Sequence, residues 1–81
     1  MWYLYIIRCA DDSLYTGVTT DLYGRVGKHN QKAGGNYTSV RTPVILVYQE
    51  THPTRSSALK REIQIKKLSR AKKLELIDGQ Q

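Results

Sequence analysis

The chain has 81 residues, 40% of them hydrophobic, with 13 Lys and Arg against 7 Asp and Glu and a formal net charge of +6. That length suits a single domain with one small core, and that hydrophobic content excludes wholesale disorder. The absence of a bilayer-length apolar run excludes a membrane span, and a lone cysteine, Cys9, excludes an intrachain disulfide or a cysteine-rich zinc site.

Trp2 to Arg8 is rich in aromatic and branched residues and reads as a strand. No basic segment precedes it, so it does not read as a signal peptide, and a reducing cytoplasm is the expected home. Asp11-Asp12 marks a turn, and Leu14 to Val18 reads as the returning strand. Alternation puts Tyr3, Tyr5 and Ile7 on one face of the first strand. A three-residue loop, Ala10 to Asp12, would set Tyr15 opposite Ile7 and Gly17 opposite Tyr5, all on that face. A two-residue turn would move Tyr15 to the other face, and it needs positive φ at both residues, which Asp tolerates only moderately. The three-residue loop is therefore expected.

Thr20 and Asp21 suit a helix N-cap, and Leu22 and Val26 follow at helical spacing. Gly24 and Gly27 each cost that helix roughly 1 kcal/mol relative to Ala. Gln31 to Thr42 is polar and reads as a loop. Val44 to Tyr48 is an apolar run that reads as a buried strand, ended by His52-Pro53, and His52 receives no role. Ser56 or Ser57 is the expected cap of a second helix with Leu59, Ile63 and the stem of Lys66 on one face. Ser69 is the expected cap of a third, stopped by Gly79. The order is β-β-α-β-α-α over one domain, residues 1–81.

Several side chains in this frame suit phosphodiester chemistry. Arg25 and His29 lie four apart on one helix and share a face. Arg25 suits a bidentate grip on phosphate oxygens, and His29 could donate to phosphate or relay a proton near neutral pH. Glu62 could give one carboxylate to Mg²⁺, with waters and phosphate oxygens filling the other positions. A surface ion pair with Lys66 is its competing account. Arg55, Lys60, Arg61, Lys66, Lys67, Arg70, Lys72 and Lys73 form a stretch whose only acid is Glu62. Such a basic face attracts phosphate backbones, and a plain solvated helix surface is the alternative.

In this order the residues resemble the GIY-YIG nuclease superfamily, and closely its small stand-alone bacterial members. Tyr3-Leu4-Tyr5 stands where the first motif belongs, Tyr15-Thr16-Gly17 where the second does. Arg25 and His29 match the following helix, and Glu62 matches the metal-ligand glutamate. Asn36-Tyr37-Thr38 resembles the loop these proteins carry before the third strand. Departures are the missing first-motif Gly, Tyr23-Gly24 in place of a charged pair before Arg25, and Gly27. The resemblance implies an α+β fold, a three-stranded antiparallel sheet flanked by helices.

It also implies hydrolysis of nucleic acid, DNA ahead of RNA, with one Mg²⁺ or Mn²⁺ per site held by Glu62. Tyr5 would deprotonate the attacking water as a phenolate whose pKa nearby cations lower. Tyr15 would bind the same water or phosphate, and the two tyrosines could exchange roles. Arg25 would neutralise phosphoryl charge, with His29 beside it. Tyr37, Lys60, Arg61, Lys66, Lys67, Arg70 and Lys72 would line the nucleic-acid path. Larger relatives carry extra DNA-binding domains, so targeting here would come from a partner protein or from substrate structure. The alternative function is a nucleic-acid-binding module that keeps the fold without turnover.

Overall fold

The computed structural model describes residues 1–31 and 40–79. Its elements are β1 (Trp2–Arg8), β2 (Leu14–Thr19), α1 (Leu22–Asn30), β3 (Ile45–His52), α2 (Arg55–Lys66) and α3 (Arg70–Asp78). This is the expected β-β-α-β-α-α order, and the sheet is antiparallel with strand order β2-β1-β3. Tyr37 and its neighbours Asn36 and Thr38 lie outside the described residues.

The apolar run of β1 makes it the middle strand. Leu4, Tyr5, Ile6 and Ile7 are each at most 1% exposed, so both faces of the strand are covered. Tyr5, Ile7 and Cys9 pack with Leu22 and Val44 on one side of the sheet. Leu4 and Ile6 pack with Tyr48 and Ile65 on the other. Burying each such large side chain contributes roughly 1.5–3 kcal/mol.

The turn between β1 and β2 is the three-residue one. Cys9 N–H donates to Ser13 O at 2.8 Å, Asp12 N–H to Cys9 O at 2.9 Å, and only Asp12 has positive φ, 69°. Asp11 carboxylate accepts from Ser13 N–H at 3.1 Å. The register follows: Tyr5 opposes Gly17 and Ile7 opposes Tyr15, placing both tyrosines on one face.

α1 forms despite its glycines because Asp21 caps it, its carboxylate accepting from Gly24 N–H at 3.2 Å. A Cβ on Gly24 would run into that same carboxylate, so the residue that lowers helix propensity also makes room for the cap. Asn30, at the far end of α1, accepts from Val44 N–H at 2.6 Å and donates to Val44 O at 3.2 Å, pinning α1 to the approach of β3.

Three expectations need correction. β3 runs from Ile45 to His52 rather than from Val44 to Tyr48, because Trp2 to Ile6 of β1 continue pairing along it. The cap of α2 is Thr54, not Ser56 or Ser57. Thr54 follows Pro53 in extended backbone and its Oγ1 accepts from Ser57 N–H at 3.1 Å. The buried face of α2 holds Ala58 and Ile65, whereas Ile63 is 55% exposed. Small Ala58 lets the helix sit close to the sheet, which turns Ile63 outward. Ser69 caps α3, accepting from Lys72 N–H at 3.2 Å, and Gly79 ends it, as the sequence indicates.

Candidate active site

Hairpin register and α1 together assemble one polar cluster inside an otherwise apolar layer. Tyr5 on β1 and His29 on α1 are both buried, at 1% and 0% exposure, and the Tyr5 hydroxyl lies 3.0 Å from His29 Nε2. Tyr15 on β2 meets the His29 ring edge-on, with centroids 5.3 Å apart. His29 is thus not on an exposed polar helix face. It shares the buried side of α1 with Leu22, one heptad earlier.

Gly17 makes the Tyr5 position possible. A Cβ there would come 2.5 Å from the Tyr5 hydroxyl oxygen and 2.7 Å from Cζ, well inside van der Waals contact. The glycine of the second tyrosine-bearing strand therefore gives the ring of the first strand its place, a close approach that only glycine permits.

The two buried groups are tuned in opposite directions. Burial pushes the Tyr5 phenol above its usual range; Arg25 pulls it back, while Tyr15 and Glu62 add to the rise. Burial and then the Arg25 charge push His29 below the ordinary 6.5. Tyr5 accordingly holds its proton and His29 stays neutral. The protein's own residues therefore do not favour the expected phenolate, since the loss of solvation outweighs the Arg25 charge. A neutral imidazole can accept the Tyr5 O–H proton at Nε2.

Arg25, one turn before His29, has a buried Nε with no hydrogen-bond partner. A buried guanidinium donor without an acceptor is costly, and an anionic oxygen would satisfy it. Glu62 on α2 lies near enough for its charge to add to the rise of the Tyr5 pKa. Its side chain is 18% exposed, and its carboxylate pairs with Lys66 at 3.7 Å. Among the described residues, no group of three or more His, Cys, Asp or Glu could cage a metal. One hard carboxylate suits Mg²⁺, which keeps several waters and completes its shell with substrate oxygens.

The basic residues separate into two sets. Arg61 Nε donates to both carboxylate oxygens of Glu50 at 3.1 Å. Arg70 pairs with Asp12 at 3.3 Å and Lys72 with Glu75 at 3.5 Å. With Lys66 on Glu62, four of the six basic residues assigned to the nucleic-acid path already have an acid partner. Lys60 and Lys67 are exposed and have no ion pair among the described residues.

Arg61 belongs to a network that sequence reasoning missed. Glu50 also accepts from the Tyr48 hydroxyl and from His52 Nε2 at 3.0 Å, and His52 Nδ1 lies 3.0 Å from Ser57 Oγ. Burial pushes the Glu50 carboxyl up, but the hydrogen bonds from Tyr48, His52 and Arg61 together with the Arg61 charge hold it below its ordinary value. The network ties β3 to α2 one residue before Glu62, and gives His52 a structural role. The two-residue spacing of Tyr48, Glu50 and His52 was the available signal, once β3 is extended to His52.

Residues 1–75 match the GIY-YIG catalytic domain. A UPF0213 protein of Staphylococcus aureus strain Mu50 is 56% identical over 75 residues, spanning 93% of this chain and 92% of that protein. Two solution NMR structures share the fold. The UPF0213 protein BH0048 from Bacillus halodurans is 42% identical with a TM-score of 0.62, covering 96% of this chain and 84% of that one. The protein EF2693 from E. faecalis is 38% identical with a TM-score of 0.64, covering 95% and 82%.

Proposed function

Because the chain belongs to the GIY-YIG catalytic domain family, alongside UPF0213 proteins, we propose that it is an endonuclease hydrolysing phosphodiester bonds in nucleic acid. The observation that carries this reading is the 3.0 Å contact between the Tyr5 hydroxyl and His29 Nε2. It sits beside the unpaired Nε of Arg25, where a phosphate oxygen would be held.

Water attacks phosphorus and passes a proton to the Tyr5 oxygen while Tyr5 passes its own to His29 Nε2. The phenol need never stand ionised, which agrees with its raised pKa. His29 starts neutral and ends as imidazolium, so its lowered pKa keeps it ready to accept near neutral pH. Arg25 donates to the phosphoryl oxygens as negative charge builds on them. Tyr15 fixes the His29 ring edge-on and offers its hydroxyl to water or phosphate. Glu62 would hold a divalent cation, Mg²⁺ or Mn²⁺, which supplies Lewis-acid stabilisation of the phosphate and the leaving oxygen. DNA is the preferred substrate, with Lys60 and Lys67 on the path of its backbone.

The test is a cleavage screen of DNA and RNA forms with Mg²⁺ or Mn²⁺, run beside Glu62→Ala. Wild-type cleavage that Glu62→Ala abolishes, with binding kept or strengthened, supports the reading. Binding without cleavage under every condition replaces it with the binding-module account.

A further inference from the structure

Tyr23, in the first turn of α1, serves neither the core nor the reaction. It is 77% exposed and makes no hydrogen bond or ring contact among the described residues. It stands beside a concavity of about 280 Å³ whose other walls include Tyr3, Thr20, Asp21 and Gln49. A second concavity, of about 210 Å³, holds Arg25 and Lys28 and has Thr20 and Asp21 as walls too. The two hollows therefore meet at the N-terminal end of α1.

Their chemistry differs. The Arg25 hollow carries two cations and suits a phosphate. The Tyr23 hollow has no Lys or Arg in its walls, and the Asp21 carboxylate, which accepts from Gly24 N–H, borders both hollows, so the two cations are what set the Arg25 hollow apart. The two tyrosines and one amide of the Tyr23 hollow suit a flat aromatic group with polar edges. A nucleotide has these two parts joined at short range, and the chain's +6 charge already favours polyanions. A base inside a duplex has both faces stacked and its pairing edge used, so only an unpaired base is free to lie on Tyr23.

We propose that Tyr23, with Tyr3 and Gln49 around it, binds one unpaired nucleobase next to the phosphate held at Arg25, so that the preferred substrate is single-stranded at the cut. This rests on the nuclease reading and adds a specificity-determining residue to it. It also gives a use to Tyr23, an exposed aromatic where the family resemblance leads one to expect a charged residue.

Binding to a labelled single-stranded oligonucleotide and to its duplex, measured by fluorescence anisotropy with EDTA present, tests this without cleavage. Tyr23→Ala should weaken single-strand binding about tenfold, the scale of losing one base–aromatic stack, and change duplex binding by less than about twofold. Tyr23→Trp should restore the single-strand affinity. A series of oligonucleotides with one abasic position each should contain one on which wild type and Tyr23→Ala bind alike. Thermal melts confirm that the exposed substitution leaves the fold intact. Equal losses on both substrates, no loss on either, or a dimer that Tyr23→Ala dissociates would overturn the proposal. If wild type cuts nucleic acid and Tyr23→Ala keeps the full single-strand preference of the wild type, this proposal alone fails. If wild type binds no nucleic acid at all, it fails together with the nuclease reading.

Discussion

Gly17→Ala isolates the role of the close approach between β2 and the Tyr5 ring. The added Cβ would sit 2.5 Å from the hydroxyl oxygen, whereas ordinary contact begins at 3.4 Å. Tyr5 is buried between β2 and α1, so the conflict is relieved only by moving its ring by about 1 Å or by opening the hairpin. Either movement spoils a 3.0 Å hydrogen bond to His29 whose strength falls steeply with misalignment. A displacement of about 1 Å at a reacting group costs on the order of 10²-fold in rate. Overpacking should cost about 1–3 kcal/mol of stability, a fall in melting temperature of about 4–8 °C per kcal/mol in a domain of this size. Single-turnover cleavage well below the melting temperature separates the two effects. If Gly17 acts through the Tyr5 hydroxyl, its substitution should add little to the rate loss of Tyr5→Phe. A folded Gly17→Ala protein that cuts as fast as wild type would refute the argument, as would an undiminished effect in the Tyr5→Phe background.

His29 makes stability depend on pH with a definite sign. Its folded pKa lies below the ordinary 6.5, so the unfolded chain binds more protons just below that value. The stability it carries is full above about pH 6.5 and is lost as pH falls through the folded pKa. Melting temperatures followed from about pH 8 to about pH 5 should drop on the acid side, and less so in His29→Gln. Gly27→Ala should raise stability by about 0.5–1 kcal/mol, read by denaturant titration, because a Cβ there meets nothing within 4 Å. Lys60→Ala and Lys67→Ala should each reduce the salt slope of nucleic-acid binding by about 1, measured as affinity against salt concentration. A slope unchanged in both would return these lysines to the solvated surface.

The sequence made the element order, the hairpin register and the face shared by Tyr5 and Tyr15 readable because each follows from local chemistry. Period-two alternation and the aversion of Asp to two successive positive φ values are properties of a few neighbouring residues. The burial of His29 was not readable. An arginine and a histidine four apart look alike whether they face solvent or a tyrosine from a distant strand. The raised Tyr5 pKa was missed for the same reason, since it depends on how much solvent the fold removes. The Glu50–Arg61 pair spans two elements, and its arginine looked like one more cation in a basic stretch. Gly24 looked like a helix defect until Asp21 was seen to occupy the space its side chain would need.

The middle position of β1 has a consequence for how the molecule comes into being. The strand is made first, and both of its covers come from later in the chain. β2 and α1 supply most of one side by about residue 30 and Val44 completes it, while the other side waits for Tyr48 and Ile65. A two-stranded hairpin alone is marginal in water. During synthesis, therefore, Leu4 and Ile6 stay only partly covered, by Leu14, Val18 and then Tyr48, until α2 has left the ribosome, and Glu62 emerges with the helix that brings Ile65 over them. The one acid of the candidate site and the cover for the first strand arrive together, so the finished core and the complete residue set form in the same step.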